Sequence, residues 1–192
     1  MPDQDAVLAI TGGLGDMQAV LTKVWDHLLP GFAPAALTPD CDAQARLSDR
    51  LAALRHDPPT GQATSPLAAQ VSGREIRLAP NAPGIDALQC TFGDDGITLT
   101  FQQGRRRRAV TCGLNAWQTS RIGTPLLPRP AQVAAAGCWT TPDTVQLVLR
   151  YYETPFYQTL TLRFTEAGAE VAVATNVSFG SNEALQLVGT FA

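Results

Sequence analysis

From about residue 69 onward, apolar residues recur at every second position, and this period constrains the fold more than any other feature of the chain. Ile97, Leu99 and Phe101 alternate with Thr98 and Thr100. Val145, Leu147, Leu149 and Tyr151 alternate with Thr144, Gln146, Val148 and Arg150. Leu160, Leu162 and Phe164 alternate with Thr159, Thr161 and Arg163, and Val171 and Val173 with Glu170, Ala172 and Ala174. Successive strand side chains point to opposite faces, so each segment reads as a strand with one buried and one wet face. Turn signals separate them: Asn81-Ala82-Pro83-Gly84, Asp94-Asp95-Gly96, Gln103-Gly104, Thr141-Pro142-Asp143 and Glu166-Ala167-Gly168. Such short connections predict an antiparallel meander of about eight strands, whose edges are best hidden by closure into a barrel or a tightly curled sandwich.

The first 66 residues follow another rule. Residues 6–11 form an apolar run before Gly12-Gly13 and predict a buried strand. Asp16 is a good N-cap for a helix whose face carries Met17, Val20, Leu21, Val24 and Leu28. Trp25 and Leu29 widen that stripe, and Pro30-Gly31 ends it. A second helix is predicted over residues 42–55, with Ala45, Leu47, Leu51 and Leu54 on its apolar face. Residues 57–66 have the composition of a linker. The expected class is α+β: an N-terminal strand and two helices, then an antiparallel, barrel-like, lipocalin-like meander. The expected parts are residues 1–30 (strand plus helix), 31–66 (helical linker) and 67–192 (β-barrel-like domain).

With 192 residues, 45% of them hydrophobic, the chain buries a core without disulfides or metal. No apolar run approaches the ~18 residues of a membrane helix. The start of the chain lacks a basic and then apolar leader pattern, so a cytoplasmic protein without a membrane partner is expected. A net charge of −3 argues against nucleic acid as a partner. Cys41, Cys90, Cys112 and Cys138 form no Cys-x-x-Cys pair and read as reduced, mostly buried thiols. Gly13-Leu14-Gly15 has Gln18 where a dinucleotide fingerprint needs its third glycine, so it reads as a tight turn. His27 and His56 stand apart with no metal-ligand spacing, so neither a metal nor a cofactor is expected. No Gly-x-Ser-x-Gly elbow occurs. The run from Arg105 to Arg108 reads first as a charged edge strand and second as an anion contact.

The densest aromatic and charged cluster is Arg150-Tyr151-Tyr152-Glu153-Thr154-Pro155-Phe156-Tyr157. The candidate site residues are Arg150, Tyr152, Glu153 and Phe156, joined by Asn176 and Phe179. Two readings stand side by side. In one, aromatic faces and an Arg–Glu pair form a ligand site. In the other, this is a hairpin corner: Pro155 breaks the pairing, Glu153 pairs with an arginine and the rings fill the barrel end.

Three N-terminal segments, Asp5-Ala6-Val7-Leu8-Ala9-Ile10-Thr11, Asp16-Met17-Gln18-Ala19-Val20-Leu21 and Val24-Trp25-Asp26-His27-Leu28-Leu29-Pro30, resemble a known pattern. It is the end of the catalytic domain in beta-lactamase-related, penicillin-binding-protein-like serine hydrolases. There the last strand of the main sheet leads into a C-terminal helix packed on that sheet. Tyr152-Glu153-Thr154-Pro155-Phe156 and Asn176-Val177-Ser178-Phe179-Gly180 resemble the β-rich C-terminal extension of a subset of those enzymes. The family's Ser-x-x-Lys nucleophile motif does not occur, because the only lysine is Lys23 and the first serine is Ser48. Tyr-x-Asn, Lys-Thr-Gly and His-x-Gly do not occur either, so no catalytic residue carries over.

The resemblance therefore implies a non-catalytic accessory or interaction domain, not an enzyme on its own. Two alternatives are a small-molecule-binding, lipocalin-like barrel and a subunit completed by a partner chain that carries the hydrolase site. Burying each large side chain of the stripe Met17, Val20, Leu21, Val24 and Leu28 is worth ~1.5–3 kcal/mol. Residues 5–30 are accordingly expected to dock on the β domain, to pair with a second copy as a homodimer, or to meet a serine-hydrolase domain.

Overall fold

The alternating segments are among ten strands in a computed structural model that describes residues 1–127, 129–178 and 180–192. They are β1 (Glu75–Leu78), β2 (Ala87–Gly93), β3 (Gly96–Gln103), β4 (Arg106–Leu114), β5 (Gln118–Ile122), β6 (Ala131–Thr141), β7 (Thr144–Arg150), β8 (Tyr157–Phe164), β9 (Gly168–Thr175) and β10 (Leu185–Phe191). Their order in the sheet is β4-β3-β2-β1-β10-β9-β8-β7-β6-β5, and β4 pairs in addition with β6. That extra pairing closes a barrel from every strand except β5. An odd ring cannot alternate direction all the way round, so one neighbouring pair must be parallel. It is β4 with β6, through Gly113 opposite Ala136 and Leu114 opposite Gly137. β5 runs antiparallel along the first half of the same β6 edge, Gln118 opposite Ala135 through Ile122 opposite Ala131.

The barrel is as the alternation predicts, but the class is not α+β. The described helices are few and short, so the protein is mostly β, and its strands number ten rather than eight. The two shortest strands read Glu-Ile-Arg-Leu, which alternates over only four residues, and Gln-Thr-Ser-Arg-Ile, too polar to show a period. The ring is also mixed rather than purely antiparallel, for the topological reason just given.

The inward positions fill the interior. Leu99 lies opposite Cys90 and Val110, and Leu147 opposite Gly137 and Leu160, all in the inward phase. Leu147, Leu149, Leu160 and Leu162 have no exposed surface. At one end Phe92, Trp139 and Phe164 plug the barrel, with ring centroids 4.9 Å (Phe92–Trp139), 6.2 Å (Phe92–Phe164) and 5.8 Å (Trp139–Phe164) apart. Such contacts contribute beyond simple area burial. A Cβ on Gly168 would stand 2.0 Å from the Gly189 carbonyl oxygen, so β9 and β10 approach this closely only because Gly168 has no side chain.

The chain divides into two compact units, Met1–Asp57 and Pro58–Ala192. Residues 58–66, linker-like in composition, belong with the barrel. Gln62 and Trp139 exchange two backbone hydrogen bonds of 2.9 Å, and the Ser65 hydroxyl donates to the Pro142 carbonyl at 2.5 Å. A short helix, residues Ala68–Val71, follows, and the Ser72 hydroxyl accepts from the Phe92 amide.

In the first unit, α1 (Met17–Lys23) starts at Asp16, whose carboxylate accepts from the Ala19 amide at 2.9 Å. A π-type turn (Val24–Leu28) and a 3-10 turn (Leu29–Gly31) carry it on through Pro30 to Gly31. α2 (Cys41–Ala52) is capped in the same way by Asp40 on the Ala43 amide, at 2.8 Å. The strand expected over residues 6–11 does not form; that stretch is without regular structure. A strand needs a neighbour to satisfy its backbone, and no described segment pairs with this one. Among the described residues no helix is long and apolar enough to cross a membrane.

Candidate functional site

The barrel end opposite the aromatic plug is where its polar residues enter the inward phase. On β8 the inward series Phe164, Leu162, Leu160 ends at Gln158, which lies opposite Leu149. On β9 the series Val171, Val173 ends at Thr175, opposite Gln158. Tyr151 continues the inward series of β7 and is buried. Its hydroxyl donates to the Gln158 Oε1 at 2.6 Å, and the Gln158 Nε2 donates to the Leu126 carbonyl at 3.5 Å. Burial pushes the Tyr151 phenol pKa up, so it stays protonated.

Above this polar floor lies a cavity of about 420 Å³. Leu127 and Pro130 wall it from the β5–β6 connection, Ala131 from the start of β6, and Phe156 from the β7–β8 connection. Glu153 and Arg129, both exposed, also line it. A second hollow of about 320 Å³ shares Phe156 and Thr175 with the first and extends to Val177, Ser178 and Glu183.

The cluster read from the sequence is therefore divided. Glu153 and Phe156 line the cavity. Tyr152 is exposed, and its hydroxyl donates to the Gln132 Oε1 at 3.3 Å. Asn176 ties the hairpin corner: its Oδ1 accepts from the Tyr157 amide at 2.9 Å and its Nδ2 donates to the Pro155 carbonyl at 3.0 Å. Arg150 lies on the outer face, because Leu149 beside it faces inward. Its guanidinium stacks over Tyr157 at 4.5 Å and Trp117 at 5.8 Å. The Arg–Glu pair does not form; Glu153 makes no ion pair among the described residues. Phe179 lies outside the described residues. Of the floor residues, Tyr151 belongs to the cluster, whereas Gln158 and Thr175 are not among the sequence candidates, although a glutamine and a threonine in an otherwise apolar inward series are a readable signal.

The other sequence candidates fall elsewhere. Arg106 to Arg108 occupy the half of β4 that pairs only with β3, since β4 meets β6 only at Gly113 and Leu114. Charge on a free edge discourages pairing with another chain. Arg107 donates to the Gln89 side chain on the outer face. Cys90 and Cys112 are buried, and burial lifts both thiols to about 12. Cys41 is exposed. Among the described residues no three His, Cys, Asp or Glu side chains gather to hold a metal. Of the proposed interface residues, Met17, Leu21 and Leu28 are exposed, while Val20 and Val24 are half-buried. No protein-family model and no curated protein matches the sequence.

Proposed function

We propose that this chain acts as a non-catalytic accessory or interaction domain, as its resemblance to the C-terminal part of beta-lactamase-related serine hydrolases implies. One observation carries this reading. The barrel fills its own interior, whereas the first unit holds a row of large apolar side chains in water, Met17 54% and Trp25 52% exposed among them. Apolar patches of this kind mark surfaces meant for another polypeptide. The occupant is a serine-hydrolase domain or a second copy of the chain.

Light scattering on the full chain tests the second-copy form. Twice the chain mass, reverting to the monomer in Leu21→Asp, supports it. A monomer that stays monomeric when mixed with a beta-lactamase-related hydrolase domain overturns both forms. The non-catalytic part is tested by incubating the chain with an activated ester and a chromogenic cephalosporin. An acyl adduct on any serine in the intact mass spectrum overturns it.

A further inference from the structure

We infer that the cavity at the open barrel end binds a small molecule with an apolar, ring-sized body and an uncharged carbonyl head, which accepts a hydrogen bond from the Gln158 amide. This goes beyond the accessory reading and does not depend on it. Three observations converge on that ligand chemistry.

The first is the wall. Leu127, Pro130, Ala131 and Phe156 give the cavity of about 420 Å³ a mainly apolar lining, the usual make-up of a small-molecule site. The ring of Phe156 is partly exposed and stands at the junction of both hollows, where it can stack on a flat ligand body.

The second is the floor. The Tyr151 hydroxyl fixes the Gln158 amide with its oxygen toward the phenol. The amide nitrogen carries two hydrogens. It has one protein acceptor among the described residues, the Leu126 carbonyl at 3.5 Å, at the outer limit of a hydrogen bond. Gln158 is only 9% exposed. A buried donor left so weakly paired is costly, and an acceptor supplied by a ligand removes that cost.

The third is charge. The floor groups Tyr151, Gln158 and Thr175 are neutral, and the phenol is held protonated by its burial. A carboxylate or ammonium brought down to this floor would lose its hydration and find no opposite charge there. Arg129 and Glu153 sit in solvent with opposite signs, so they favour neither an anion nor a cation overall. A neutral carbonyl, of an amide or an ester, fits all three conditions.

Phenylacetamide and phenylacetate share a ring and a carbonyl carbon and differ in charge. Titrating each into the isotope-labelled full chain while following amide resonances tests the inference. Phenylacetamide is expected to give saturable shifts at the Gln158 side-chain amide and at the backbone amides of Ala131, Phe156 and Thr175. Phenylacetate is expected to bind about tenfold more weakly, the factor set by ~1.4 kcal/mol of charge desolvation. Ala131→Phe fills the cavity and abolishes the shifts. Phe156→Ala, at a partly exposed position that the fold does not need, weakens binding several-fold. Shifts that do not saturate, shifts confined to other residues, equal binding of phenylacetate, or binding unchanged in Phe156→Ala would each overturn it.

Discussion

Two stretches of one chain use apolar residues to opposite ends. In Pro58–Ala192 most of the large apolar side chains are shut away: Trp139 is 1% exposed and Leu147 not at all. In Met1–Asp57 no described residue is buried, although nine leucines, three valines and Trp25 lie there. The difference lies in geometry rather than composition. Strands that alternate can bend into a ring and present one face to themselves. A short helix carries one apolar stripe and has no second face to turn it against, so its burial depends on another surface.

Thiol chemistry gives the widest contrast between the two. Cys41 in α2 is exposed and is expected to react rapidly with a thiol reagent. Cys90 and Cys112 are expected to react only through unfolding, slower by a factor on the order of 10³–10⁶. Comparable labelling of all three would erase the contrast. The same thiols predict a pH effect. Each is lifted from 9.0 to about 12 in the folded barrel, so between these values the unfolded chain releases protons that the folded chain keeps. Stability is then unaffected by these groups below pH 9 and falls as pH rises toward 12, which urea midpoints across that range will read.

Next in size is a pair of tryptophan truncations followed by urea unfolding. Trp139→Ala is expected to cost about 3–5 kcal/mol, because it empties the aromatic plug. Trp25→Ala is expected to stay within about 0.5 kcal/mol in the monomer. A large loss from Trp25→Ala under monomeric conditions would mean that its side chain is covered after all. The smallest effect sharpens the comparison from the other side. Asp40→Ala removes the cap of α2 and is expected to cost that helix about 1 kcal/mol, seen as lost helical circular dichroism, with the barrel's urea midpoint unmoved.

Much of the barrel was legible in the sequence because its inward residues obey a period that only a strand can use. Ile97, Leu99, Phe101 and the series on β7, β8 and β9 all face the core as their alternation predicts. What escaped notice depends on contacts between distant residues. β5 is made a strand by its neighbour, not by its own composition. The parallel seam follows from counting strands in a closed ring, which no local pattern reveals. Residues 6–11 have the composition of a strand but no ladder to join. The cap Asp16 was legible, since it immediately precedes the stripe. The site was half legible. Glu153 and Phe156 were found because charged and aromatic residues crowd together there, while Gln158 and Thr175 matter through the register that brings them face to face. Arg150 drew attention by its charge, yet the parity of β7 sends it to the outer surface.

The pairing of β1 with β10 has a consequence for how the protein is made. Ile76 lies in register opposite Phe191, so the first strand of the ring finds its outer neighbour in the last. During translation the early hairpins leave the ribosome with bare rims and wait for the final strand. Non-local closure of this kind is slow and exposes nascent sheet to neighbouring chains. The arginines along β4 guard one rim throughout that wait.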